Sequence, residues 1–132
     1  MTSRDKTSAP RPTDGELAIL RVLWERGPCT VRDVHETLDA GRPTGYTTVL
    51  KLLQIMTEKG LVRRDERERA HVYEARAPRA QTERQLVGDL LERAFAGSAS
   101  ALVMRVLSSK KTSPEEIARI RELLDSLEGG KR

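Results

Sequence analysis

A helical segment in the middle of the chain, residues 42–59, carries polar side chains on one face and apolar side chains on the other. Hydroxyl, amide and ammonium groups on a helix that is anchored by its apolar side can contact base edges and phosphates in the major groove of DNA. An ordinary solvated helix face has a similar composition, so this segment alone leaves both interpretations open. At helical spacing the polar residues are Thr47, Lys51 and Gln54, and the apolar ones are Val49, Leu52, Leu53 and Met56.

A second group of charged residues follows in residues 61–75. Apolar residues at both ends of this stretch bracket a charged middle, which predicts a two-stranded hairpin with a solvated tip. Arg67 and Arg69 are nearest the tip, and we expect them to contact phosphates or the minor groove. Alternating charges can also serve only to keep an exposed hairpin solvated, and the two roles are compatible.

Composition limits the classes of protein to which the chain can belong. Its 132 residues allow one domain with an appended element, but not a large enzyme scaffold. Aromatic residues make up 3% of the chain, so the core must consist mostly of aliphatic residues, which favours helices. A net charge of +4 permits an anionic partner. Since no motif for a nucleophile, phosphate loop or metal site occurs, we expect no enzyme activity, no cofactor and no metal.

Cysteine content and hydropathy indicate the compartment. Cys29 is the only cysteine, which excludes an intrachain disulfide and fits a reducing environment. No apolar run approaches the roughly 20 residues of a membrane span, and the start of the chain lacks the apolar stretch of a secretory signal. We therefore expect a cytoplasmic protein that has no membrane partner.

Two helices are predicted ahead of the polar segment. Thr13 and Glu16 form a capping-box pattern for a first helix over residues 14–26. Thr30 is expected to cap a second helix over residues 31–38. Turn residues separate this second helix from the polar segment, so the predicted order is helix, turn, helix.

The elements combine into a domain organisation. Residues 1–12 are expected to form a disordered arm, residues 13–77 a winged helix-turn-helix domain, and residues 78–132 a set of three short amphipathic helices. Three such helices have too little volume for a core of their own, so we expect them to form a homodimer. Packing against the amino-terminal domain of the same chain is the alternative. The residues predicted to form the dimer contact are Leu102, Val103, Val106, Ile117, Ile120, Leu124 and Leu127.

Several short motifs, in their order and spacing, resemble the penicillinase-repressor family. The likeness covers about residues 13–128. The motifs are Leu17-Ala-Ile-Leu-Arg-Val-Leu-Trp24, Thr30-Val-Arg-Asp-Val-His35, Tyr46-Thr-Thr-Val-Leu50, Glu58-Lys-Gly-Leu61, Tyr73, Phe95-Ala-Gly-Ser98 and Leu102-Val103. The resemblance implies a homodimeric winged-helix repressor that binds inverted repeats in promoters, often of antibiotic-resistance or copper-handling genes. It also implies that the carboxyl-terminal helices intertwine between protomers.

The expected partner is therefore a palindromic operator in double-stranded DNA. We expect the polar helix to contact the major groove through Thr47, Thr48 and Lys51. At the entrance of this helix, we expect Tyr46 to contact the DNA backbone or a thymine methyl. Phosphate contacts are expected from the second helix through Thr30 and Arg32, and further contacts from the hairpin through Arg67 and Arg69. The alternative is a winged-helix adaptor that binds another protein and does not bind DNA.

The sequence departs from the family pattern in two places. The resemblance implies a sensor protease as a further partner, but the Asn-Phe pair that it cuts is replaced by Arg105 and Val106, so cleavage at this bond is not expected. No cysteine follows Cys29, which excludes the carboxyl-terminal cysteine cluster of copper-responsive relatives.

Overall fold

The first helix, α1 (Asp14–Arg26), begins at the predicted capping box. In the computed structural model, which describes residues 11–41, 43–109 and 111–129, the Glu16 amide donates to Thr13 Oγ1 at 3.3 Å. The Thr13 amide donates to Glu16 Oε1 at 2.9 Å. The helix ends at Gly27, whose φ of 89° is readily adopted only by glycine. Most of the predicted arm over residues 1–12 lies outside the described residues.

The next two helices form the helix-turn-helix pair. Helix α2 (Val31–Asp39) begins at a second capping box, in which Thr30 and Asp33 exchange two hydrogen bonds of 3.1 Å. Helix α3 (Tyr46–Lys59) contains the polar face and ends at Gly60, whose φ of 83° places it in the left-handed region. The predicted helices at these positions are confirmed.

A small antiparallel sheet provides the wing. Strands β2 (Val62–Asp65) and β3 (Val72–Ala75) form the predicted hairpin. A third strand, β1 (Cys29–Thr30), pairs with the other edge of β3, so the strand order is β1-β3-β2. This third strand was not predicted, because two residues carry too little pattern to distinguish a strand from an extended link.

The hydrophobic core lies between the first three helices and the sheet. The apolar side of α3 packs into it, and Val49, Leu53 and Met56 have no exposed surface. This burial fixes which face of α3 points outward. The other core residues are Ile19, Leu20, Val22, Leu23, Cys29, Val31, Val34, Val62 and Tyr73.

Trp24 attaches the segment that follows the wing to α1. Its indole Nε1 donates to the carbonyl oxygen of Ala77 at 3.0 Å. The guanidinium of Arg79 lies 5.9 Å from the centre of the indole ring, within the range of a cation–π contact. The residues that lead out of the winged helix are therefore held against α1.

Three helices complete the chain: α4 (Arg79–Phe95), α5 (Ala99–Ser109) and α6 (Pro114–Gly129). Contacts divide the chain into two compact units, of which the first ends at Leu86 and the second begins at Val87. Neither α5 nor α6 contains a buried side chain. The fold is thus mainly helical with a small antiparallel sheet, as predicted.

Within the described ranges, none of the helices combines the length and apolar character that a membrane crossing requires.

Candidate nucleic-acid interface

The outward face of α3 is polar along its length. Thr47, Lys51 and Gln54 are exposed, on the side of the helix away from the buried residues. Lys51 forms no hydrogen bond or ion pair with any residue that the structure describes. Its ammonium charge is therefore available to an anionic partner. Thr48 is also exposed, but it borders a separate depression beside α1, together with Gly15.

Tyr46 opens α3 and is positioned by α2. Tyr46 is 49% exposed. Its ring contacts the His35 ring edge to face, with 5.7 Å between the ring centres and 73° between the ring planes. This contact holds the Tyr46 ring at the amino-terminal entrance of α3. The sequence named His35 only within a family motif and did not indicate that it contacts Tyr46.

A concavity of about 640 Å³ brings four of the predicted residues together: Thr30, Arg32, Tyr46 and Arg69. They come from the start of α2, the start of α3 and the wing tip. The remaining lining residues are Val31, Leu50, Ala70, His71 and Tyr73. Two guanidinium groups, two hydroxyls and the amino-terminal ends of two helices make this region suited to an anion such as a phosphate.

Thr30 caps α2 in addition to lining the concavity. Its Oγ1 accepts the hydrogen bond from the Asp33 amide that caps α2. A threonine hydroxyl has one donor hydrogen and two acceptor positions, so the donor remains for a second partner. The hydrogen bond from the Thr30 amide is the largest cause that lowers the pKa of Asp33, which keeps this cap ionised.

The arginines of the wing differ in their local partners. Arg67 is bound to Asp65: Nε lies 3.0 Å from Oδ1 and 3.1 Å from Oδ2, and Nη2 lies 2.6 Å from Oδ2. Arg64 Nε lies 2.7 Å from Glu66 Oε2. Arg69 is exposed and has no side-chain partner among the described residues. The two predicted wing contacts, Arg67 and Arg69, are therefore not equivalent.

The hydrogen bonds that Asp65 accepts lower its pKa. The Arg67 side chain, and after it the Arg67 backbone amide, lower the pKa of Asp65 from 3.8 to about 2. The same carboxylate raises the pKa of Arg67. Both partners are consequently charged at neutral pH.

The residues predicted for dimerisation lie on α5 and α6, and large apolar side chains are exposed there. Val103, Val106, Leu124 and Leu127 are each 45% exposed or more. Leu102, Ile117 and Ile120 are partly buried. Met104, Leu107 and Leu123 are also exposed on these helices, although they are not among the residues predicted for the dimer contact.

The described residues contain no group of three or more His, Cys, Asp or Glu side chains that could hold a metal ion. Cys29 is buried in the core, where burial raises the pKa of its thiol.

Two comparisons with solved structures concern the fold. A MarR family protein from Bacillus stearothermophilus is 22% identical, with a TM-score of 0.48, and the match covers 90% of this chain and 74% of that one. The YusO protein from Bacillus subtilis is 18% identical, with a TM-score of 0.48, covering 89% of this chain and 75% of that one.

Comparisons of sequence give closer relatives. The transcriptional regulator BlaI of Mycobacterium tuberculosis is 36% identical over 119 residues, which are 89% of this chain and 85% of the relative. The penicillinase repressor of Bacillus licheniformis is 21% identical over 123 residues, covering 93% and 96% of the two chains. The penicillinase repressor family matches residues 12–126, which confirms the resemblance seen in the motifs. The chain therefore belongs to the penicillinase repressor family, whose members are transcriptional repressors and not enzymes.

Proposed function

We propose that this chain is a homodimeric repressor that binds an inverted-repeat operator in double-stranded DNA. The winged-helix domain, residues 13–77, binds the duplex, and the helices of residues 78–132 hold two copies together. The outward polar face of α3, fixed by the burial of Val49, Leu53 and Met56 on its other side, is the observation that carries this proposal.

Helix α3 enters the major groove in this proposal. An α-helix fits that groove, and its first turns reach base edges. Thr47 and Lys51 face the bases, with Thr48 at the flank of the same face. Tyr46, held by His35, contacts the backbone or a thymine methyl at the helix entrance.

Phosphates beside the groove are bound by residues around the concavity. Thr30 and Arg32 act from the start of α2, and Arg69 acts from the wing. Contacts of this kind set the position of the protein on DNA and make affinity dependent on salt. Their placement around the entrance of α3 is what supports the assignment.

The dimer is supported by the exposed apolar residues of α5 and α6. Burial of these apolar side chains away from water would stabilise an assembly. In a two-fold dimer, the same helices of a second copy would cover them. A two-fold dimer presents two copies of α3, so the half-sites are expected roughly 10 base pairs apart, or a multiple of that spacing.

Selection of genomic fragments by the purified full-length chain tests the function without knowledge of the operator. Fragments of the protein's own genome are bound, recovered and sequenced, and affinity for the enriched sites is then measured by fluorescence anisotropy at several salt concentrations. We expect an enriched inverted repeat and an affinity that falls steeply as salt rises. Recovery of fragments without a shared repeat, together with affinity that is independent of salt, would favour the adaptor alternative and overturn the proposal.

We do not assign release from DNA to proteolysis between Arg105 and Val106. Both residues lie within α5, and the pair lacks the Asn-Phe sequence of the family cleavage site.

A further inference from the structure

We infer that Asp65 weakens DNA binding by holding the guanidinium of Arg67, so that Arg69 is the principal DNA contact of the wing. Asp65 is thus a residue that sets operator affinity without contacting DNA itself. This inference rests on the proposed binding of duplex DNA.

The contact between Asp65 and Arg67 uses most of the hydrogen-bonding capacity of the carboxylate. The Arg67 side chain donates from Nε and Nη2 to both carboxylate oxygens, at 2.6–3.1 Å. The Arg67 backbone amide donates to Oδ1 at 3.0 Å. Two-oxygen arginine–carboxylate pairs are among the stronger charge-assisted hydrogen bonds. A phosphate must compete with this carboxylate for Arg67.

The pair is local in sequence, which makes it available in the free protein. Asp65 ends β2, and Arg67 follows two residues later at the start of the wing tip. Both side chains are accessible to water, at 42% and 86% exposure, so the attraction is screened and the attenuation is modest. The expected change in affinity is severalfold and does not amount to loss of binding.

Arg69 provides the contrast on the same tip. It lines the concavity beside Tyr46 and Arg32, and no described carboxylate pairs with it. Arg67 is not among the residues that line this concavity. The wing tip therefore presents Arg69 toward the entrance of α3 without a partner among the described residues, whereas Arg67 is held in an ion pair.

Replacement of Asp65 by asparagine tests the inference with little change in shape. Asp65→Asn keeps the oxygen that accepts from the Arg67 amide, but it removes the negative charge and the second acceptor oxygen. Glu68→Gln is the matched control, because it removes the same charge from the same tip and Glu68 has no partner among the described residues.

The measurement is affinity of the full-length chain for a selected operator by fluorescence anisotropy at several salt concentrations. We expect Asp65→Asn to tighten binding about three- to tenfold and to steepen the salt dependence by about one phosphate contact. Glu68→Gln is expected to change affinity less than about twofold.

Arg67→Ala completes a double-mutant cycle. In the wild-type background it should weaken binding less than about twofold, whereas in the Asp65→Asn background it should remove most of the gain in affinity. Equal effects of Arg67→Ala in both backgrounds, or equal effects of Asp65→Asn and Glu68→Gln, would overturn the inference while leaving the proposed function intact. Absence of salt-dependent binding by the wild-type chain would overturn both.

Discussion

At the scale of single residues, the availability of a charge matters as much as its presence. Lys51 and Arg67 are both exposed cations near the proposed DNA surface, but Lys51 has no partner among the described residues, whereas Arg67 is bound to Asp65. An unpaired ammonium gives up only water when it meets a phosphate or a base. We therefore rank Lys51 above Arg67 as a contributor to affinity.

Lys51→Ala is expected to weaken operator binding by about 1–3 kcal/mol if the ammonium reads a base, and mainly to make the salt dependence shallower if it contacts a phosphate. A gel shift with the selected operator at several salt concentrations measures both effects. Lys111→Ala, which makes the same change at an exposed residue beyond the winged helix, is the control. If Lys51→Ala matches wild type in affinity and in salt dependence, Lys51 does not belong to the site.

At the scale of elements, an ion pair joins the start of α1 to the end of α3. Glu16, in the first turn of α1, accepts a hydrogen bond of 2.7 Å from the ammonium of Lys59, the last residue of α3. The carboxylate is 3% exposed and also accepts from the Thr13 amide. Burial by itself raises the pKa of Glu16, but the hydrogen bonds from Lys59 and Thr13 outweigh it, so the pKa is lower than the ordinary value.

Lys59→Met is expected to lower the free energy of unfolding by about 1–3 kcal/mol at pH 7, because it leaves the Glu16 carboxylate buried with fewer donors. Denaturant unfolding of the full-length chain measures the loss. Lys51→Met on the exposed face of the same helix is the matched control and should change the free energy by less than about 0.5 kcal/mol.

The pH dependence of this loss follows from the lowered pKa of Glu16. A carboxyl group whose pKa is lowered by folding contributes stability above its unfolded pKa, and this contribution is lost as pH falls through the folded pKa. The difference between wild type and Lys59→Met should therefore be largest above the ordinary pKa of 4.5 and should shrink below it. A difference that stays constant across this range would show that Lys59 contributes through packing and not through the ion pair.

At the scale of the whole molecule, the distribution of the core predicts assembly. The buried residues that form the hydrophobic core lie within residues 19–73, and α5 and α6 contribute none of them. Apolar side chains on those two helices gain little from the fold of one chain. A second copy that covers them would stabilise both the helices and the spacing of the two α3 helices.

Leu124→Glu is expected to weaken the dimer, because it places a charge within the apolar stripe of α6. Light scattering after size exclusion should give twice the 14.8 kDa of one chain for wild type and a lower value for the variant at micromolar concentration. Operator affinity should fall with dimer content. Ala118→Glu is the control, since it places the same charge on the opposite side of α6. A wild-type chain that remains monomeric under these conditions would contradict the proposed dimer.

The sequence determined the features that depend on neighbours a few residues apart. The capping box of Thr13 and Glu16, the helix stop at Gly60 and the outward side of α3 all follow from local hydrogen bonds and from helical periodicity. The candidate DNA-binding residues on α3 could be named for the same reason: burial of Val49 and its neighbours sets which residues face out.

Only the tertiary structure decided the features that join distant parts of the chain. The pairing of β1 with β3, the ion pair between Glu16 and Lys59, and the hydrogen bond from Trp24 to Ala77 link residues more than 40 positions apart. The spacing of residues along the sequence does not predict such contacts, because they depend on how the helices and strands pack against one another. Arg67 is held by Asp65, two residues before it, but the position of Arg69 is decided in the same way as these distant contacts. Arg69 lines a concavity with residues of α2 and α3, which come together only through the packing of the wing beside those helices.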